Sequence, residues 1–421
     1  MLKLMVYSLG LALLTGGLLA GCTALAPQPA PPGGLVSPTP AKCEWVNYLV
    51  PTTTTQFRLQ ALFGIAAAAP TDVWAVGWRE QGSLQELTRV VEHWDGLAWH
   101  LAPDSTEPGT GRFLAVQVKA ADDVWAVGIS DSYSASFPPI RETSSGLMEH
   151  WDGHSWSAMP SLRSDPYPAG SAFYAVAAIS SHDIWAVGFS TPDSRLFNGL
   201  TAHWDGLSWR IVSNPVPFQG ANNTVLKGVA AIATDDVWAV GDSDGTLTLH
   251  WDGLAWRVVP SPSPRLGVPR LEGVVALAAN DVWAVGSTGE DHFRQSLIEH
   301  WDGRTWNVVP SPAAEPVDSE LLGLAAATPD DIWAVGIRHR PDGAKSLVEH
   351  WDGHAWRVVP SANVDSGKAL SDTGLNAVAV RGDDVWTAGY FSHYQNGPEQ
   401  MLIQHWNCGT RITPLSLTGK P

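Results

Sequence analysis

A six-residue tract that recurs seven times constrains the fold of this chain more than any other feature of its sequence. In its clearest copy the tract reads Asp236-Val237-Trp238-Ala239-Val240-Gly241. The seven copies of its tryptophan are Trp74, Trp125, Trp185, Trp238, Trp283, Trp333 and Trp386. The first and last of these are 312 residues apart over six intervals, a mean of 52. Such a period is typical of repeat architectures, in which each repeat is one supersecondary unit.

A second tract follows each copy of the first. It reads His250-Trp251-Asp252-Gly253 in its clearest copy. Its histidine recurs as His93, His150, His203, His300 and His350, with a degenerate last copy at 405–408. A further tryptophan lies five residues after the tryptophan of this tract, as Trp99, Trp156, Trp209, Trp256, Trp306 and Trp356.

Each repeat has room for four short strands, here called A to D in chain order. In the fourth repeat the pattern predicts strands at 226–233, 237–241, 246–251 and 254–259. Asp252-Gly253 favours a two-residue hairpin, since both residues tolerate positive φ, and this register would pair His250 with Ala255. The strands are nearly apolar, as expected for sheets covered on both faces. The sequence therefore predicts an all-β, seven-bladed β-propeller with four antiparallel strands per blade.

The two ends of the chain favour a closed ring over a linear solenoid. The seventh repeat lacks its strand D, and a matching segment, residues 45–51 with Trp45 at its start, precedes the first repeat. We expect this segment to complete the last blade and to close the ring, which would leave no open sheet edge there. Residues 410–414 are an alternative fourth strand.

The N-terminal segment resembles a lipoprotein signal peptide. Lys3 precedes an apolar run that ends at Leu19-Ala20-Gly21-Cys22, so residues 1–21 are predicted to be removed and Cys22 to carry a lipid. An ordinary secretory signal and an uncleaved anchor are the alternatives. Residues 22–42 form a Pro-rich tether, residues 43–408 the propeller and residues 409–421 a tail. We expect the protein in the bacterial cell envelope, on the extracytoplasmic side of a membrane.

The other two cysteines fall at the predicted seam of the ring. Cys43 occupies the repeat position of Leu254, and Cys408 occupies that of Gly253. These positions are neighbours in an intact repeat, so a Cys43–Cys408 disulfide is predicted for an oxidising compartment. Two unrelated thiols are the alternative.

The repeat pattern resembles that of a family of largely uncharacterised proteins. Asp-Val-Trp-Ala-Val-Gly, then Glu-His-Trp-Asp-Gly and Trp-Arg-Val-Val-Pro, is similar to the repeats of bacterial secreted and lipoprotein β-propellers, grouped with kelch or galactose-oxidase-like propellers. The resemblance covers residues 43–408 and implies the fold, not an activity. Kelch repeats carry a Gly-Gly pair where this chain has the single Gly241.

Residues that recur in every repeat are interpreted as scaffold. We expect each histidine of the second tract to bond a polar partner within its own blade, because one histidine per blade cannot converge on a metal. The aspartate before each strand B (Asp236 in the fourth repeat) is interpreted as a turn residue accepting backbone N–H groups. The tryptophans are expected to pack between blades.

Ligand recognition is expected in the loops joining B to C and D to the next A, which differ between blades and open on one face. The longest of these is predicted at 129–146. Candidate ligand-binding residues in the B–C loops are aromatic, Arg and His side chains: Trp78, Arg79, Tyr133, Phe137, Arg141, Arg195, Phe197, His292, Arg294, Arg338, His339, Tyr390, Phe391, His393 and Tyr394.

The net charge of -17 argues against nucleic acid as a partner. The sequence predicts a monomeric binding module for a glycan, peptide or protein, with no cofactor, no metal and no catalytic residue. The alternative is an extracellular polysaccharide-active enzyme, a glycosidase or lyase, which would need clustered acids or bases particular to certain blades.

Overall fold

The computed structural model of this chain describes most of the propeller region. The described residues are 43–49, 59–81, 86–102, 110–133, 141–159, 170–191, 196–216, 223–264, 267–290, 293–313, 318–364, 371–393 and 399–407. The chain divides into two compact units, 1–41 and 42–421, and every described residue belongs to the second. No helix among the described residues is long and apolar enough to cross a membrane.

The 28 described strands form seven four-stranded antiparallel sheets, so the predicted seven-bladed propeller is confirmed. The first strand of the chain, β1 (Glu44–Leu49), belongs to blade 7. Blade 1 contains β2 (Gln60–Ala69), β3 (Asp72–Gln81), β4 (Glu86–Trp94) and β5 (Trp99–Leu101). Blade 2 contains β6 (Gly111–Ala120), β7 (Asp123–Tyr133), β8 (Arg141–Trp151) and β9 (Trp156–Ala158). Blade 3 contains β10 (Ser171–Ser180), β11 (Asp183–Ser190), β12 (Asn198–Trp204) and β13 (Trp209–Ile211).

The remaining blades repeat this arrangement. Blade 4 contains β14 (Val225–Ala233), β15 (Asp236–Asp242), β16 (Thr246–Trp251) and β17 (Trp256–Val258). Blade 5 contains β18 (Arg270–Ala278), β19 (Asp281–Thr288), β20 (Gln295–Trp301) and β21 (Trp306–Val309). Blade 6 contains β22 (Ser319–Thr328), β23 (Asp331–Arg338), β24 (Lys345–Trp351) and β25 (Trp356–Val358). Blade 7 contains β26 (Asp372–Arg381), β27 (Asp384–Ser392), β28 (Glu399–Asn407) and β1.

The strands A form the inner ring of the propeller. Each of them contacts the strands A of both neighbouring blades, and β26 of the last blade contacts β2 of the first. Strand D is the outermost strand of its blade, because the order within each sheet is A-B-C-D.

The N-terminal strand closes the ring as predicted. β1 pairs antiparallel with β28, with Trp45 opposite Trp406 and Leu49 opposite Leu402. β1 therefore takes the place of the missing strand D. The alternative strand at 410–414 lies outside the described residues.

The tryptophans pack between blades, as expected from their repetition. Trp238 of β15 lies 5.2 Å from Trp301 and 5.5 Å from Trp306 of the next blade, measured between ring centroids. The same contact closes the ring, since Trp386 of blade 7 lies 5.4 Å from Trp94 of blade 1. Tilted and edge-on aromatic pairs of this kind add stability beyond the area they bury.

The hairpin between strands C and D differs from the expected two-residue turn. Trp251 pairs with Trp256, and His250 pairs with Arg257 rather than with Ala255. The turn therefore contains four residues. Asp252 Oδ1 accepts hydrogen bonds from the backbone N–H groups of Leu254 and Ala255, and these bonds, with Gly253 at φ 85°, stabilise the wider turn.

The aspartate before strand B has a different role from the one predicted. Asp281 Oδ1 lies 2.8 Å from His300 Nε2 and accepts the indole N–H of Trp283 at 2.8 Å. It therefore joins two side chains of its own blade instead of capping a turn. All seven histidines of the second tract bond to this aspartate, which confirms the partner expected within each blade.

Candidate functional site

One position near the start of each strand A changes chemistry from blade to blade. Each strand A has a β-bulge at this position, where one residue has no partner in strand B. In blade 1 this residue is Phe63, between Leu62 and Gly64. Strand pairing therefore does not fix its side chain. The seven residues in blade order are Phe63, Leu114, Tyr174, Lys227, Glu272, Leu322 and Asn376. They are apolar or aromatic in blades 1–3 and charged in blades 4 and 5.

An aromatic cavity of about 440 Å³ lies over blades 1–3. It is at the end of the propeller where strand A begins and strand B ends, which is the face with the B–C and D–A loops. The name aromatic cavity is used for it throughout. Its main lining residues are Phe63, Trp78, Arg112, Leu114, Ile129, Tyr174, Phe189 and Phe197.

The rings of the aromatic cavity hold one another in place. Phe189 lies 4.6 Å from Phe197 in an edge-on arrangement and 5.9 Å from Tyr174. Phe197 remains 37% exposed, so one large apolar surface faces solvent. Arg112 is the cation among the lining residues. The cavity therefore offers aromatic faces and one charged donor to a ligand.

A group of charged residues lies next to the aromatic cavity at the same end of the propeller. Lys227 Nζ lies 4.3 Å from the Tyr174 ring centroid and 3.7 Å from Glu272 Oε2. Burial raises the pKa of Glu272, while the charges of Lys227 and Arg270 oppose that shift. Lys227 thus connects the aromatic side of the face with its charged side.

Glu320 organises the charged side on blades 5 and 6. Its Oε2 accepts a hydrogen bond from Arg294 Nη1 at 2.7 Å, and its Oε1 lies 3.6 Å from His339 Nε2. Burial acts to raise the pKa of Glu320, but the contacts with His339 and Arg294 outweigh it, so this pKa is lowered. The hydrogen bond to Glu320 raises the pKa of His339. Both pKa shifts favour a pair in which Glu320 is ionised and His339 is protonated.

Tyr390 lies close to this charged group in blade 7. Burial raises its pKa, and the negative charges of Glu399 and Asp372 raise it further. Tyr390 therefore keeps its proton and is unsuited to act as a general base.

The structure brings together only some of the predicted ligand-binding residues. Trp78 and Phe197 line the aromatic cavity, and Arg338 lines a separate cleft on blade 6. His339 belongs to the Glu320 group, and His393 packs edge-on against Phe391 at 5.2 Å.

Other predicted residues give no single site. The positive charge of Arg79 acts to lower the pKa of the buried Glu92, against the larger effect of burial. Phe137, Arg195, His292 and Tyr394 lie outside the described residues, as do Cys22 and Cys408. Tyr133 of β7 pairs with Arg141 of β8 at the ends of these strands.

The loop predicted at 129–146 is shorter than expected. β7 continues to Tyr133 and β8 begins at Arg141, because the Ser- and Thr-rich residues flanking the loop pair across the two strands, as Ser130 does with Ser145.

Six of the eight main lining residues of the aromatic cavity were not predicted to bind a ligand: Phe63, Arg112, Leu114, Ile129, Tyr174 and Phe189. They lie within strands, whereas ligand residues were sought in loops. Alignment of the seven repeats would have found Phe63, Leu114 and Tyr174, because the same position holds Lys227 or Glu272 in other blades.

The described residues contain no cluster of three or more His, Cys, Asp or Glu side chains that could hold a metal ion. Cys43 is disulfide-bonded. Because Cys408 is outside the described residues, its pairing with Cys43 stays a prediction.

Four buried glutamates lie on strands C: Glu92, Glu149, Glu299 and Glu349. Glu149 forms an ion pair with Arg89 of the preceding blade. Glu299 is 0% exposed and neither of its carboxylate oxygens has a hydrogen-bond partner among the described residues. Burial raises its pKa to about 8. Burial also raises the pKa values of Glu92 and Glu349 to about 7.

Comparison with known proteins identifies the fold. No protein-family model and no curated protein matches the chain. Among solved structures, "YCF48 bound to D1 peptide" is 17% identical, with 86% of this chain and 94% of that chain covered and a TM-score of 0.52. The WD40 β-propeller domain of Doa1 is 12% identical, with 85% and 98% covered and a TM-score of 0.51. A PL25 ulvan lyase is 9% identical, with 82% and 94% covered and a TM-score of 0.49.

At these identities the likeness is one of fold. The expected grouping with kelch or galactose-oxidase-like propellers is therefore supported only as far as the propeller architecture. The chain is a seven-bladed β-propeller that resembles YCF48 and WD40 propellers at low identity, and the comparisons assign it to no family.

Proposed function

We propose that this protein is a binding module of the bacterial cell envelope that holds an extended ligand on the face with the B–C and D–A loops. The observation that carries the proposal is the aromatic cavity, which breaks the sevenfold repetition. Phe63, Leu114 and Tyr174 occupy a strand A position that is charged in blades 4 and 5, so packing of the propeller does not require apolar or aromatic side chains there.

The chemistry of the face suits a ligand with both apolar and polar groups. Apolar groups would lie against Trp78, Tyr174 and Phe197, since aromatic rings supply a large contact area. Polar groups would meet Lys227 and Glu272 beside the cavity. A peptide or a glycan fulfils these requirements. YCF48, a propeller of similar fold, is bound to a peptide, so peptides are the first class to test.

The experiment screens the mature protein on an array of short peptides and on a glycan array, then measures the best probe by calorimetry. The variants are Trp78→Ala and Phe197→Ala. Truncating a central aromatic anchor typically removes about 2 kcal/mol or more, so we expect binding about thirtyfold weaker.

The matched control is Leu207→Ala. Leu207 is 87% exposed and lies on the C–D hairpin, at the opposite end of blade 3. This variant should bind as the wild type does. Unchanged binding by both cavity variants would move the site away from the aromatic cavity.

The alternative function is a polysaccharide-active enzyme. The group of Arg294, Glu320 and His339 is the observation in its favour, because it is particular to blades 5 and 6. Its test is incubation with acidic and neutral polysaccharides, followed by assays for new reducing ends and unsaturated products. Turnover that is lost in Glu320→Gln would establish an enzyme in place of a binding module.

Attachment through a lipid at Cys22 is part of the proposal. Cys22→Ala should move the protein from the membrane fraction to the soluble fraction or stop its processing. Mass spectrometry of the N-terminal peptide tests it directly, since an unmodified wild-type cysteine would exclude the anchor.

A further inference from the structure

A second opening lies on blade 6, away from the residues of the aromatic cavity. This cleft has a volume of about 510 Å³. Its cationic lining residues are Arg338, Arg340 and Lys345, and Asp342 is the one acid among its lining residues that the structure describes. A local excess of positive charge is unusual on a chain with a net charge of -17.

Two of these cations lie directly opposite each other in the sheet. Arg338 at the end of β23 pairs with Lys345 at the start of β24. Like charges in directly opposed positions of an antiparallel pair are destabilising. The corresponding pairs in blades 2, 3 and 5 are Ser130 with Ser145, Ser190 with Asn198 and Thr288 with Gln295. The propeller fold therefore does not require this arrangement.

None of the three cations of the cleft forms a salt bridge with another described residue. Lys345 Nζ donates to the carbonyl oxygen of Ser371 at 2.7 Å, which orients the ammonium but leaves its charge. The buried Nε of Arg338 has no hydrogen-bond partner among the described residues. Burial lowers the pKa of Arg338 and the charge of Arg340 lowers it further, while the buried Glu349 acts in the opposite direction.

Polar side chains complete the wall of the cleft. Ser346 Oγ lies 2.7 Å from Ser361 Oγ and 2.9 Å from Asn363 Oδ1. This network fixes the hydroxyl groups beside the cations. Guanidinium groups are suited to carboxylates and sulfates, because their N–H groups form charge-assisted hydrogen bonds with the oxygens of such anions.

We propose that the blade 6 cleft is an oxyanion-binding site that takes a carboxylate or a sulfate group, with Arg338 and Arg340 as charged donors. A bound oxyanion offsets the repulsion between the three cations. Without it this repulsion destabilises the folded protein. The site is separate from the aromatic cavity and does not depend on the function proposed for it.

Calorimetry with the mature protein tests the site. The probes are sodium sulfate, and methyl glucuronide beside methyl glucoside, which lacks the carboxylate. Ionic strength is kept constant with sodium chloride. Heats of binding are measured because sulfate stabilises folded proteins generally by exclusion from their surface. We expect saturable binding of sulfate and of the glucuronide at one site, and none of the glucoside.

The deciding variant is Arg340→Ala, whose side chain is exposed and whose loss should not affect folding. It should weaken binding about tenfold or more, as expected for loss of a charge-assisted hydrogen bond. Arg338→Met is a second variant with the same expectation. The control is Arg357→Ala, which removes a 71% exposed side chain that pairs with Asp352 at the opposite end of the same blade.

Three results would overturn the proposal: no saturable heat with either anion, equal binding by Arg340→Ala and Arg357→Ala, or equal binding of glucuronide and glucoside without any of sulfate. Trp78→Ala should leave sulfate binding unchanged, so failure of the aromatic cavity and failure of the oxyanion site are separate outcomes. Binding of sulfate without glucuronide would restrict the site to sulfate.

Discussion

Trp45 and Trp406 lie directly opposite each other in the closing blade, although 361 residues separate them in the chain. Their ring centroids are 5.2 Å apart, and Trp45 also lies 6.2 Å from Trp333 of blade 6. In blade 4 the same pair, Trp251 and Trp256, is joined by a turn. The closing blade depends on side-chain packing and strand pairing where the other blades have a covalent connection.

Trp45→Ala should therefore open the ring at its seam. The cavity left by a buried tryptophan typically costs about 3–5 kcal/mol, which is the loss expected for the control Trp256→Ala, and Trp45→Ala should cost less because Trp45 is only partly buried. Limited proteolysis distinguishes the two variants. In Trp45→Ala the N-terminal strand should be cleaved before any other part of the propeller, because regions with fewer buried contacts open first. Equal cleavage patterns in the two variants would contradict a weak seam.

The predicted Cys43–Cys408 disulfide would supply the missing connection. Glu44 pairs with Asn407, and each of the two cysteines adjoins one residue of this pair in the sequence. A bond between them would close a loop of 366 residues, for which the chain-entropy model gives about 6 kcal/mol as an upper value.

Cys43→Ser should lower the melting temperature to that of the reduced wild type, measured with and without reductant. Cys22→Ser is the control, since it removes the predicted lipid site and leaves the seam cysteines in place. Mass spectrometry of non-reduced peptides that showed Cys43 joined to any residue except Cys408 would end this assignment.

Much of the fold follows from the repeat alone. The number of blades, the four strands and the closure by Trp45 were predictable, because seven similar units must bury equivalent surfaces against one another. The turn at Asp252 was not, since side-chain hydrogen bonds to the backbone widened it. The aromatic cavity was only partly predictable. Trp78 and Phe197 were predicted because they are aromatic residues near loops. Tyr174 lies within a strand, at a β-bulge where it has no partner in strand B.

Each repeat has one aspartate at the start of strand B and one in the C–D turn, and the two should contribute differently to stability. Asp281 joins His300 to Trp283, so Asp281→Ala leaves two polar groups without their partner and should cost about 2–3 kcal/mol. Asp302→Ala removes the carboxylate that accepts the backbone N–H groups of Arg304 and Thr305 in an exposed turn. Its cost should be smaller, because the turn is exposed to solvent.

Urea denaturation measures both variants. A larger loss for Asp302→Ala than for Asp281→Ala would show that the turn, and not the link between side chains, is the main contribution of the repeated aspartates.

The buried carboxyl of Glu299 predicts how stability depends on pH. Its pKa is about 8 in the folded protein, above the ordinary value of 4.5, because it is buried without a hydrogen-bond partner among the described residues. Between these two pH values the folded state holds a proton that the unfolded state has released. The free energy of unfolding should therefore fall as the pH rises from about 4.5 to about 8, by up to about 4–5 kcal/mol from this group. The raised pKa values of Glu92 and Glu349, both about 7, act in the same direction.

Glu299→Gln should remove the contribution of this residue without changing the shape of the side chain. At pH 5 the variant should be about as stable as the wild type, whose Glu299 is protonated there. At pH 8 it should be more stable, because the unfolded wild type is stabilised by ionisation of Glu299, whereas the amide of the variant does not ionise in either state. Glu149→Gln is the matched control. Glu149 is paired with Arg89, so its substitution should destabilise the protein by about 1–3 kcal/mol at pH 8. Urea denaturation from pH 5 to pH 8 measures all three proteins, and a Glu299→Gln variant that loses stability with pH as steeply as the wild type would show that Glu299 is ionised in the fold throughout this range.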